Sequence, residues 1–138
     1  MKRILLGMGL GLLWGILCFT GFSSGAVENG MGAYASWSFS NPMMWTILVN
    51  RIVLGFVVAI AGFITVHPFL GFKVPPVLRG AKLGALISLT MAIGVFMGPD
   101  SEGAWTGFWM IVIAGALIGA ITDIIITKVV GEGDILRK

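Results

Sequence analysis

Polar and charged side chains inside apolar segments are where this chain can do chemistry, because a charge in hydrocarbon is costly and persists only with a partner or a task. Four residues meet that description: Asn50, Arg51, Lys82 and Asp123. Arg51 lies six residues past Trp45, about 9 Å along a helix. Asp123 lies five residues before Lys128, about 7–8 Å from the other boundary. Arg51 and Asp123 are thus too far apart in depth for an easy direct pair, and Lys82 suits Asp123 better. The expectation is two sites. An outer one holds Asn50 and Arg51, with Thr46 one turn away, and sets a preference for an anion or a polar solute. An inner one pairs Asp123 with Lys82, near Thr122 and Thr127, as an inner gate or a structural pair. The plainer alternatives are an Arg51 that snorkels to headgroups, or holds an interhelical or lipid-phosphate contact, and a Lys82 that serves as one more anchor.

No reaction is implied by these residues. The chain lacks the phosphate-loop, H-E-x-x-H and G-x-S-x-G patterns. Asp123 is the only carboxylate within a span, so no carboxylate pair is available there to share a proton or bind a metal. One Cys and one His exclude a disulfide framework, a Cys/His zinc cluster and haem attachment by paired cysteines. Cys18 reads as a small apolar packing residue, and His67 as an interfacial anchor. The expectation is therefore a protein that is not an enzyme and carries no cofactor.

The elements that must position these residues follow from composition. Of 138 residues, 57% are hydrophobic and 11% charged; a soluble domain has about 25% charged residues. Apolar runs at about 4–22, 43–66, 78–97 and 105–130 are each long enough to cross about 30 Å of hydrocarbon. Asn41-Pro42, Pro68, Pro75-Pro76 and Gly98-Pro99 punctuate them, since proline lacks the N–H that a helix interior needs. Residues 1–26 also have the parts of a secretory signal, but the apolar run exceeds the usual 7–15 residues, so a retained span is expected.

Orientation follows from the bases. Lys2 and Arg3 precede the first run, Lys73, Arg79 and Lys82 surround the second connection, and Lys128, Arg137 and Lys138 close the chain. The first connection has Glu28 and the third has Asp100 and Glu102, with no base in either. Both termini are then cytoplasmic. Trp37, Trp45, Trp105 and Trp109 fall on the opposite side, as an outer aromatic belt would. The first outer loop adds Tyr34 and Phe39 among serines, expected at the membrane surface. The net charge of +3 is explained by these flanks rather than by nucleic acid.

An internal repeat is also legible. Gly7, Leu10, Gly11 and Leu13 match Gly80, Leu83, Gly84 and Leu86 at one offset, with Gly15 on Ser88. Trp45, Ile47, Gly55 and Ile60 match Trp109, Ile111, Gly119 and Ile124 at another. This predicts two similar hairpins, about 4–66 and 78–130, in parallel orientation within a single membrane domain. Gly7, Gly11 and Gly15, then Gly80 and Gly84, then Gly115 and Gly119 recur at every fourth residue, the spacing that lets helix backbones approach closely. They serve packing within the bundle, an oligomer, or both.

Trp45 to Asn50 resembles the start of the second span of small four-span fluoride channels over six residues. The rest of the chain departs from that pattern, so no fold or function is carried over from it. The expectation is an all-α integral membrane protein of the cell (inner) membrane with four transmembrane helices. Its partners are the lipid bilayer and either further copies of itself or a larger membrane protein. Two functions compete: an oligomeric channel or transporter for a small ion or polar solute, and a non-catalytic accessory subunit whose glycine faces dock on a larger membrane complex.

Overall fold

A computed structural model describes residues 1–28, 32–66, 71–97 and 103–133. The expected anchor His67 and four of the charges used for orientation, Asp100, Glu102, Arg137 and Lys138, lie outside the described residues. The described chain is all-helical: α1 (Lys2–Glu28), α2 (Pro42–Ala61), α3 (Pro76–Gly94) and α4 (Ala104–Val130), with short 3₁₀ turns at Gly32–Tyr34 and Val95–Met97. All four helices are long and apolar enough to cross a membrane.

Local sequence sets the helix ends. Asn41 accepts a 3.0 Å bond from the Met43 amide with its side chain, and Pro42 takes the first helical position, where its missing N–H has no partner to lose. Pro75 stands extended before α3 and Pro76 opens it. Gly131 ends α4 at φ 87°, a backbone conformation that favours glycine. The second apolar run stops being helical earlier than its hydropathy suggests, at Ala61 rather than near Val66. The reason is a diverted carbonyl: Ala59 O accepts from the Arg3 side chain, and the Phe63 amide turns to Ile60 O instead.

α1 with α2, and α3 with α4, form two close hairpins. In the first, a Cβ at Gly7 would lie 2.7 Å from Ala59 Cβ and against the Gly55 carbonyl, while Gly11 sits against Arg51 O and Gly15 against Leu48. In the second, a Cβ at Gly80 would lie 2.8 Å from Asp123 Cβ and against the Gly119 carbonyl, while Gly84 sits against Gly115 O and Ser88 against Gly115. The glycine stripes are thus occupied inside the two hairpins. Only glycine permits such backbone contact, and without water in the bilayer this dispersion contact supplies much of the drive for helix association.

The hairpins meet more sparsely, chiefly along α2 and α3. Leu54, Val58 and Ala59 of the first pack with Ile118 and Ile126 of the second, in the half nearer the chain termini. At the other end Phe19 packs with Met44, Ile47 and Leu48, and edge-on against Trp37. Leu13, Val53, Leu86, Ile113 and Leu117 point outward, as a lipid-facing surface requires.

Candidate functional site

Two polar sites lie inside the bundle, separated by two turns of α2. The first is at the end where the chain begins and ends. Asp123, on α4, is fully buried. Its Oδ1 accepts from Arg3 Nη2 at 2.7 Å and from Arg79 Nη2 at 3.0 Å, and its Oδ2 from Arg79 Nε at 2.7 Å. Arg3 also donates through Nε to Ala59 O and through Nη1 to Gly131 O. Arg79 reaches Glu132 at 2.9 Å, which pairs in turn with the exposed Lys73 at 3.6 Å. Thr127 donates to Asp123 Oδ1 at 3.3 Å, and both guanidinium groups approach its hydroxyl.

Two arginines and two carboxylates therefore neutralise one another, and almost every donor on them has an acceptor. Such a cluster tolerates burial because each charge is both paired and hydrogen-bonded. Arg3 and Arg79 occupy the position at Asp123 that sequence reasoning assigned to Lys82. Lys82 itself is exposed, beside an apolar groove that includes Ile64 and Arg79. The physical reason is the forked guanidinium: Arg79 covers both carboxylate oxygens, which a single ammonium cannot do as well.

The second site centres on Arg51, midway along α2 and only 3% exposed. Its Nη1 donates to Ser88 Oγ of α3 at 2.8 Å, whereas its Nε is buried with no hydrogen-bond partner. Among the described residues no carboxylate forms a salt bridge with it. Arg51 lines a cavity of about 370 Å³ with Cys18 and Phe22 of α1, Ile47 of α2, Met91 of α3 and Ile111 of α4. An adjoining cavity of about 380 Å³ shares Phe22, Ile47, Met91 and Ile111, and extends past Thr90 and Gly94 to Tyr34 at the tryptophan-rich end.

Asn50 does not share this site, because successive residues point about 100° apart around a helix. Its Nδ2 reaches Ile87 O at 3.2 Å and Thr90 Oγ1 at 3.3 Å across the α2–α3 seam, and its Oδ1 is buried without a partner. Thr46 lines the same α2–α3 groove. The expected outer pair thus divides into two neighbouring positions: Arg51 lines the first cavity, Asn50 the α2–α3 groove, and Thr46 both that groove and the adjoining cavity.

Arg3 and Arg79 are site residues that sequence reasoning read only as flanking charge, and Glu132 is one that it did not single out. A signal for Arg3 was present: Arg3, Gly7, Gly11, Gly15 and Phe19 form one unbroken buried stripe on α1. Gly115, Gly119, Asp123 and Thr127 have the same spacing on α4. Charges at that spacing continue a packed face rather than a solvated one. Comparison with family models, with curated proteins and with solved structures gives no match for this chain.

Proposed function

We propose that this chain is a multi-pass protein of the cell (inner) membrane, with both termini cytoplasmic, that carries a small ion or polar solute between its two hairpins. The observation that carries this reading is Arg51: a buried cation without a carboxylate partner among the described residues, lining a cavity between the hairpins. A structural arginine in hydrocarbon is expected to be neutralised, as Arg3 and Arg79 are by Asp123 and Glu132. Among the described residues Arg51 has no such partner.

The distribution of contacts supports a carrier with its outer side open. Each hairpin is a close-packed unit, and the links between them combine the apolar cluster of Leu54, Val58 and Ala59 with Ile118 and Ile126 and a set of polar contacts: Arg3 to Asp123, Arg51 to Ser88, Asn50 to Ile87 and Thr90, and the Gly133 amide to Gly62 O. The cytoplasmic half is clamped by the arginine–aspartate cluster. The outer half contains the adjoining cavities. Motion of one hairpin against the other, breaking and remaking these polar links, would alternately expose Arg51, which is the logic of repeat-built transporters.

A parallel duplication supports treating the hairpins as equivalent units. Gly7 meets Gly55 and Ala59 as Gly80 meets Gly119 and Asp123, position for position under the offsets of the sequence repeat. The duplicated frame would carry charge asymmetrically, since Arg51 corresponds to Gly115 and Asp123 to Ala59.

The test is flux across liposomes containing the purified protein, with a panel of inorganic and small organic ions. Saturable flux of at least one solute, abolished by Arg51→Gln, is expected. Folded protein that passes none of them overturns the transport reading.

A further inference from the structure

Resting on the transport reading, the chemistry around Arg51 narrows what can bind there: we infer that the cavity between α1, α2 and α4 is a binding site for an organic monoanion, a carboxylate with an apolar body. One fixed positive charge is balanced by one negative charge. Of its donors, Nη1 is engaged by Ser88, while the buried Nε has no acceptor. A bound carboxylate beside the Arg51 side chain that lines the cavity would supply the missing counter-charge.

The walls decide against a strongly hydrated ion. Apart from Arg51, the cavity is formed by Cys18, Phe22, Ile47, Met91 and Ile111 together with other apolar neighbours. Phosphate or sulfate would exchange a full hydration shell for one guanidinium edge, leaving most of its oxygens against carbon. A monocarboxylate needs only that edge for its head, and its alkyl body gains from contact with Phe22 and Ile47. Met91 and Met110, which also lines the cavity, are flexible enough to fit bodies of different shape. The volume of about 370 Å³ falls within the range of roughly 300–1,000 Å³ common to small-ligand pockets.

The experiment measures binding and not flux, so the two readings can fail separately. The purified full chain in detergent is titrated with hexanoate, 1-hexanol and phosphate at constant ionic strength, following thermal unfolding. Hexanoate is expected to raise Tm by a saturable few degrees in the native chain and in Arg51→Lys, but not in Arg51→Gln. A rise that persists in Arg51→Gln, an equal rise with 1-hexanol, a larger rise with phosphate, or no rise with hexanoate overturns the inference. A second readout covers a misfolded variant. Cys18 lines the same cavity, so hexanoate at about ten times its Kd should slow maleimide labelling of native Cys18 about tenfold, because only the empty cavity reacts. Unchanged labelling overturns the site. Hexanoate binding without flux would leave the site and remove the transport reading, whereas flux without hexanoate binding would do the reverse.

Discussion

Arg3 and Asp123, 120 positions apart in the sequence, meet at 2.7 Å in a pair from which water is excluded. The contact joins the first turn of the first hairpin to the last helix of the second. It forms only if both hairpins are complete and correctly placed, so it reports on the whole fold.

That geometry ranks three substitutions. Asp123→Asn leaves two buried guanidinium groups without their shared partner and should destabilise the protein by about 3–5 kcal/mol. Arg3→Gln should cost less, because Arg79 still covers both oxygens of Asp123. Lys73→Ala should cost under about 1 kcal/mol, since its 3.6 Å pair with Glu132 is largely solvated. Equilibrium unfolding in mixed micelles gives the order; an Arg3→Gln loss equal to that of Asp123→Asn would contradict the shared role of Arg79.

Within the hairpins, glycine identity should matter by position and not by count. Gly11→Ala places a methyl group against Arg51 O and Ile52 Cα, both backbone, and should destabilise by about 1–3 kcal/mol. Gly84→Ala should behave alike against Gly115 O. Gly9→Ala meets nothing within 4 Å and should be neutral or slightly stabilising through helix propensity. Unfolding midpoints of the three variants provide the check, and an equally damaging Gly9→Ala would show that the stripe is not what packs the hairpin.

Arg51 should trade stability against function. Replacing an unneutralised buried charge by an apolar side chain of similar length removes a desolvation penalty. Arg51→Met is therefore expected to raise stability by on the order of 1 kcal/mol while abolishing solute movement. A clear loss of stability would instead mark Arg51 as a structural residue, and the carrier reading would lose its main support.

Much of this architecture is legible in the residues. Four apolar runs and their proline punctuation locate the helices, and the fourfold spacing of Gly7, Gly11 and Gly15 marks the buried face of α1. The site is only half legible. Arg51 and Asp123 stand out because charge inside an apolar run is conspicuous, yet Arg3 and Arg79 are hidden by their place at the run ends, where bases usually anchor helices. Their inward direction depends on which face of each helix is packed, and that emerges only when the glycine stripe is followed one turn further. The partnership of Lys82 with Asp123 fails for the same reason, since depth alone cannot tell an inward from an outward side chain. Asn50 and Arg51 separate because adjacent residues leave a helix in different directions.

The most direct test of the central claim, that Arg51 sits in a cavity open to the outer solution, uses the chain's one cysteine. Cys18 lines the Arg51 cavity and needs no engineering as a probe. Membrane-impermeant methanethiosulfonates, one anionic and one cationic, are applied to the outer face of oriented membranes. The account predicts that the anionic reagent modifies Cys18 faster, and that Arg51→Gln removes the preference. Absence of modification from the outer face, or equal rates for the two reagents in the native chain, would contradict it.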